Sequence, residues 1–468
     1  MQYLKSPRRQ QGVVVNFFRG KMAEVSVGGL DFSTLQTRVY RGSLANSAKK
    51  IQKGWILMKS VTIRAVRIIL TAPEGTPLAV VKVETSEPEL YGLGCATFTQ
   101  RIRAVQSAVD DYLGPWAVGK EVDRIEDLWA SAMVSSYWRN GPVLNAALSG
   151  LDMALWDIKG KRAGMPCYEL WGGKSREGAA VYRHADGRDV DEIGDRVAAF
   201  IAQGFRYIRC QWGGYGGMVT DAGGRSHFGN PLVHQPEGAV PGAYFDPSEY
   251  RRRIPKLFES MRGRFGTEVE FLHDVHERLT PADAVQLAKA LDPYDLFFLE
   301  DLLPPEQAAW FARVRQVSAV PLAMGELFTH PLEWQPLIEQ RAIDFLRMHL
   351  SQIGGVTPAL KVARVAEAFG IRTAWHGPGD VSPVGHAANV HLDVHCPNFG
   401  IQEWSGLGER SLAVFPGAPE VRGGYVYPND RPGWGIDLNE AEAQRYPITV
   451  TNPDWTLARL PDGTSARP

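Results

Sequence analysis

The amino-acid sequence predicts an α/β protein, a (β/α)8-type (modified TIM) barrel with an α+β capping domain. Three observations predict it. Between Ala180 and Glu403, eight short apolar strands alternate with amphipathic helices, the pattern of a closed parallel barrel. Ahead of them, over residues 58–177, strands come first and helices second. Finally, Asp274, Glu300 and Glu326 each end a strand and are separated by 26 and 26 residues. One strand, one helix and two loops take about that length, so the acids belong to neighbouring strands on one rim.

Composition agrees with this class. The 468 residues are 44% hydrophobic and 22% charged, which excludes a disordered or fibrous chain and allows two or three domains. A net charge of −1 conceals two unlike parts. Residues 1–57 hold ten Lys/Arg against two Asp/Glu, and the remainder is acidic, which argues against a nucleic-acid-binding surface. Apolar runs such as Leu296–Leu299 and Val13–Val15 are too short to cross a membrane. Cys95, Cys167, Cys210 and Cys396 form no C-x-x-C pair, so no zinc ribbon or redox motif is present. Reduced thiols in a cytoplasmic compartment are expected.

In chain order, residues 1–57 form an unassigned basic extension without apolar period. They read as a transit peptide, as a flexible arm for an acidic partner, or as translated upstream sequence ahead of a start at Met58. The intact mass of protein expressed from its own promoter separates these. In the capping domain, residues 58–177, strands are expected at Val61–Leu70 and Val80–Thr85 and helices at Arg101–Leu113 and Asn145–Lys159. The barrel, residues 178–405, has strands at Ala180–His184, Tyr207–Arg209, Val269–Asp274, Leu296–Glu300, Leu322–Glu326, Ile343–Leu350, Ile371–His376 and Phe399–Glu403. Helices at Pro281–Leu291, Pro305–Val317 and Thr357–Phe369 start on proline or threonine, as first turns tolerate. The Gly-, Pro- and His-rich stretch Gln211–Phe245 reads as a functional lid. The turn-rich segment 406–468 returns to the capping domain.

Three adjacent carboxylates repel unless a cation lies among them, and all-oxygen ligation favours Mg2+. Acids also end strands as helix caps, and Asp301 and Glu306 stand in such places, but equal phase in three successive units favours the metal. A glycosidase would need two carboxylates rather than three. His276, two residues after Asp274, faces the interior if the strand persists and is placed to exchange a proton with substrate. His376 closes the seventh strand; Arg209 and Gln211 end the second, Arg347 and His349 the sixth, and Glu403 with Trp404 the eighth. His330, His386, His391 and His395 read as structural. Gly173-Lys174-Ser175 lacks the earlier glycine of a phosphate loop, and neither a G-x-S-x-G elbow nor an H-E-x-x-H pair occurs.

Over about 400 residues the chain resembles the enolase superfamily, and within it the mannonate-dehydratase-like acid-sugar dehydratases. The motifs are Tyr137-Trp138-Arg139-Asn140-Gly141-Pro142, the run Ala154–Lys161, Leu170-Trp171-Gly172-Gly173-Lys174, His276 beside Asp274, His376-Gly377-Pro378 and Gly400-Ile401-Gln402-Glu403. The resemblance implies that Asp274, Glu300 and Glu326 bind Mg2+ and that His276 protonates the leaving hydroxyl. It makes Arg209 half of a Tyr/Arg pair that takes the C2 proton, and His184, Arg347, His376, Asp380 and Glu403 substrate-binding. Trp404 is included as a neighbour of Glu403. Two positions depart from the family: its catalytic tyrosine is replaced by Asp221, and its substrate-contacting asparagine by Thr99. Tyr215, near Arg209, is the preferred base, with Asp221 and His376 as alternatives.

The implied reaction removes the C2 proton of a sugar acid through an enediolate and expels the 3-hydroxyl to leave a 2-keto-3-deoxy acid. Racemisation or cycloisomerisation between His276 and His376 is a second reading, and a catalytically weak ligand-binding sensor is a third. The expected partner is a small-molecule sugar acid, with no nucleic acid or membrane, and a homo-oligomer is expected.

Overall fold

A computed structural model describes residues 60–213, 218–220, 226–228, 236–240, 243–451 and 456–467. The basic extension 1–57, Tyr215, Asp221 and part of the stretch Gln211–Phe245 lie outside the described residues. Eight parallel strands close on themselves: Ala179–Gly187, Tyr207–Trp212, Glu270–Asp274, Phe298–Glu300, Leu322–Met324, Phe345–Leu346, Arg372–Thr373 and Gln402–Glu403. The eighth pairs with the first through Gln402–Val181, and a bridge between Thr373 and Phe399 closes the ring on the other side.

The barrel interior is filled from seven of these strands or the residues flanking them. Tyr182, Leu272, Phe298, Ala323, Phe345, Ala374 and Ile401 form one buried cluster, so the barrel is a packed core beneath its mouth and not a channel. Inward residues alternate with outward ones along each strand, which leaves the polar side chains at the C-terminal ends facing the mouth.

The helices behind these strands start where the sequence places its proline and hydroxyl residues. Thr280 caps Pro281–Leu291 by accepting from Asp283 N at 3.2 Å, and Ser382 caps Pro383–His395. The expected helix over 305–317 divides into a 3-10 stretch, Pro305–Trp310, and a short α-helix, Phe311–Arg315.

The cap is an antiparallel sheet of Ile63–Thr71, Leu78–Thr85 and Tyr91–Cys95, covered by the long helix Pro142–Ala163. Its third strand, Tyr-Gly-Leu-Gly-Cys, has too little apolar alternation to stand out in sequence. Val80, Leu93, Cys95 and Met153 of the cap lie in the same buried cluster as the residues outside the barrel wall, so the two layers share a core. Polar joints reinforce it: Asp152 accepts from Thr357 N at 2.9 Å at the start of the barrel helix Val356–Ala368. The C-terminal segment packs on the cap as well. Tyr91 donates to Asp437 at 2.6 Å, and Trp434 N donates to Asp157 at 2.9 Å. Among the described residues no helix is long and apolar enough to cross a membrane.

Candidate active site at the barrel mouth

Parallel pairing sets Glu300 beside Asp274 on adjacent strands, and Glu326 follows the fifth strand after Gly325. Gly325 has φ 141°, and a Cβ there would meet Phe328 at 3.0 Å and the Arg347 carbonyl at 3.1 Å. Only glycine fits, and the turn it permits carries Glu326 over the mouth. Oxygens of Glu300, Asp301 and Glu326 lie within 4.8 Å of one another. Asp274 falls outside that group, because its Oδ2 accepts from Arg209 Nη1 at 3.2 Å and its Oδ1 from His276 N at 2.7 Å.

A ring of cations and imidazoles surrounds the acids. Arg347 pairs through Nε with Glu300 and donates through Nη2 to Glu403 Oε2 at 2.6 Å. His376 Nε2 lies 3.0 Å from Glu326 Oε2, and His276 Nε2 lies 3.5 Å from Glu326 Oε1. His184 Nε2 lies 2.9 Å from Glu403 Oε1, which is 3.7 Å from Arg209 Nη1. The backbone N–H of Gly377 donates to Glu403 Oε2 at 2.8 Å; a Cβ at Gly377 would come within 2.5 Å of the Glu403 carbonyl.

Burial and neighbours split the acids into two kinds. Burial raises Glu300 well above the carboxylate range, and Asp274 and Glu403 add to it, outweighing Arg347. Burial likewise raises Asp301, helped by Glu326 and Glu300. For Glu326 and Glu403 burial acts in the same sense but loses. His376, His276 and Arg347 hold Glu326 down, and Arg347, His376 and His184 hold Glu403 down. Burial lowers His376, yet Glu326 and Glu403 lift it above an ordinary histidine. Glu300 Oε2 and Asp301 Oδ2 are buried without a hydrogen-bond partner. Two such oxygens beside a third carboxylate fit a hard divalent cation.

Asp274, Glu300, Glu326, His276, Arg209, His184, Arg347, His376 and Glu403 therefore meet at one mouth. Asp380 stands beside His376, and burial raises its carboxyl. The strand reading of His276 needs correction. The third strand ends at Asp274, and His276 and Glu277 have φ 53° and 64°, so the histidine arrives through a left-handed turn. Asp274 Oδ1 on His276 N, and Glu277 N donating to the Asp301 carbonyl at 2.7 Å, hold that turn against its intrinsic cost. Trp404 is also corrected. It faces away from the mouth, opposite in phase to Glu403, and packs with Val390, Phe399 and Val426. Thr99 opens a 3-10 turn in the cap and donates to the Pro77 carbonyl at 3.3 Å.

Sequence reasoning passed over Asp301 as a cap residue. The signal was the Glu300-Asp301 pair itself: at φ 37° Asp301 leaves strand geometry, so consecutive carboxylates approach one site. Of the four remote histidines, His330 caps Pro331–Glu339 by accepting from Leu332 N at 3.1 Å.

A barrel rim with acids on three successive strands, under an α+β cap, defines the enolase superfamily of two-domain enzymes. The family described as "Enolase C-terminal domain-like" matches residues 192–442, and the "Mandelate racemase / muconate lactonizing enzyme, N-terminal domain" matches residues 53–172. Within the superfamily, the chain belongs to the D-galactonate dehydratase family, whose members are carbon–oxygen hydro-lyases. A family member from Pantoea ananatis, RspA, is 56% identical over 419 residues, 88% of this chain and 100% of its own. One from Musicola paradisiaca is 55% identical over 418 residues, with the same coverage. A crystal structure of an enolase from Pantoea ananatis, with bound D-gluconate and Mg, superimposes with TM-score 0.85 at 55% identity, covering 87% of this chain and 100% of that one.

Proposed function

We propose that this protein is a Mg2+-dependent dehydratase of a mannonate- or gluconate-like sugar acid. The observation that carries the reading is the group of buried Glu300 and Asp301 with half-buried Glu326, with Asp274 in register beside Glu300 and Arg347, His184, His276 and His376 around it. The D-gluconate and Mg held by the related Pantoea ananatis enzyme support it.

Asp274, Glu300 and Glu326 would hold the cation, with Asp301 beside them. When bound, Mg2+ supplies a Lewis acid that stabilises negative charge developing on the substrate carboxylate. Arg347, with His376 and His184, favours the ionised form of Glu403, and Arg209 donates to Asp274 and holds it in place. Tyr215 is proposed as the base for the C2 proton, because the Arg209 guanidinium would favour its phenolate. The C2–H electron pair passes into an enediolate of the substrate carboxylate and then forms the C2–C3 double bond as the C3–O bond breaks. His276 gives its proton to that oxygen, water leaves, and the enol becomes a 2-keto-3-deoxy acid. Racemisation stays a second reading because His276 and His376 approach opposite oxygens of Glu326.

The test is a panel of hexonates and pentonates incubated with Mg2+ and assayed for 2-keto acid and for the C2 epimer. Dehydration of at least one acid is expected. Epimer without keto acid would replace this reading with the racemase, and binding without turnover across the panel would favour a sensor. Tyr215→Phe with full turnover would remove the proposed base.

A further inference from the structure

His349 belongs to none of the roles above, yet it stands at the same mouth. It follows Arg347 by two residues past the sixth strand, is 5% exposed, and lays its ring 5.0 Å from that of His376, at 41°. A nitrogen of His349, a nitrogen of His376 and a carboxylate oxygen of Asp380 lie within 4.8 Å of one another. Spacing alone would allow a second metal there. The tautomer opposes it: Ser351 N–H donates to His349 Nδ1 at 3.1 Å. A neutral imidazole that accepts at Nδ1 carries its proton on Nε2, which then donates and has no lone pair for a cation. Burial first, and the adjacent His376 second, hold His349 well below the ordinary histidine range, so it stays neutral. Nε2 makes no hydrogen bond among the described residues, and Asp380 Oδ1 is buried without one. A donor and an acceptor side by side, each lacking a partner, match a hydroxyl that accepts one hydrogen bond and donates another.

We infer that His349 is a specificity-determining residue whose Nε2–H donates to a hydroxyl oxygen on the polyol chain of the sugar acid, with Asp380 accepting from the same part of the ligand. The inference rests on the sugar-acid reading.

Calorimetric titration of D-gluconate and its 4-, 5- and 6-deoxy analogues, in Mg2+, tests it with the wild type, His349→Asn and His349→Gln. Asparagine can still accept from Ser351 N–H but falls short of the Nε2 position, whereas the glutamine amide reaches it. His349→Asn is expected to bind D-gluconate at least tenfold more weakly, and His349→Gln to recover most of that loss. For one deoxy analogue, wild type and His349→Asn should bind equally, because the hydroxyl that reads the donor is gone. A uniform loss across all four acids would make His349 a structural wall, and no loss would remove it from the site; either overturns the inference. If the wild type binds none of the acids, the sugar-acid reading fails and takes this inference with it. If the wild type binds and the variants match it, the inference alone fails.

Discussion

The guanidinium of Arg347 donates through Nη2 to Glu403 Oε2 at 2.6 Å, tying the end of the sixth barrel strand to that of the eighth. Its Nε serves Glu300 on the fourth. One fully buried cation thus bridges carboxylates from two other strands.

Removing it should therefore destabilise the fold itself. Arg347→Ala would leave the ionised Glu403 buried without its cation and Glu300 without its hydrogen-bond donor, a loss of about 3–5 kcal/mol by analogy with other broken buried pairs. Arg347→Lys should recover only part, because an ammonium cannot span both acids from one plane. Chemical denaturation in the absence of metal measures this, and an Arg347→Ala protein within about 1 kcal/mol of wild type would contradict it.

Metal binding should release protons. Burial and mutual repulsion hold Glu300 and Asp301 above the usual carboxylate range, and a divalent cation needs them ionised. The apparent Mg2+ affinity should fall as pH falls, and the titration enthalpy should vary with the ionisation heat of the buffer. Treatment with a chelator should lower the melting temperature, and Mg2+ should restore it. An enthalpy that is identical in phosphate and Tris would argue against proton release.

Asp152, at the joint between the cap helix and the barrel helix Val356–Ala368, offers a separate pH signature. Burial raises its carboxyl to about 7, against hydrogen bonds from Thr357 that favour the ionised form. A carboxyl raised in the folded state contributes stability that is complete below the ordinary carboxylate pKa of about 4 and lost as pH rises toward about 7. Asp152→Asn should lack that slope, so its stability relative to wild type should improve as pH rises from about 4 to about 7. Urea-unfolding free energies of the two proteins measure this, and parallel pH slopes for wild type and Asp152→Asn would count against a raised Asp152.

His276 is expected to act in only half of the reaction. His276→Asn should lower 2-keto acid formation by roughly 10²–10⁴-fold, the usual contribution of a general acid. Exchange of the C2 proton with D2O, followed by NMR, should survive because the proposed base is untouched. Loss of exchange along with dehydration would mean that His276 also takes the C2 proton.

Much of this was legible in the sequence for a simple reason. Strand period, helix starts and the interval of 26 residues between acids are local or regular quantities, and a closed barrel turns such regularity into adjacency. The site of Glu300 could be read that way because its strand ends on it. His276 could not be read so directly: the strand stops two residues earlier, and the backbone N–H groups of His276 and Glu277, donating to the Asp274 carboxylate and the Asp301 carbonyl, hold the left-handed turn that brings the imidazole to Glu326. Trp404 was not legible either: a large aromatic beside a functional acid looks functional, whereas alternation places it in a different buried cluster from the barrel interior.

By itself, the sequence determined the barrel, its cap and the positions of the three acids, since these follow from periodicity and spacing along the chain. Tertiary structure alone decided which carboxylates stand together, which of them Arg347 holds ionised, and which nitrogen of His349 carries a proton. Those depend on distances between side chains from different strands and on burial, through which charge repulsion and desolvation act, and no pattern along a single chain encodes them.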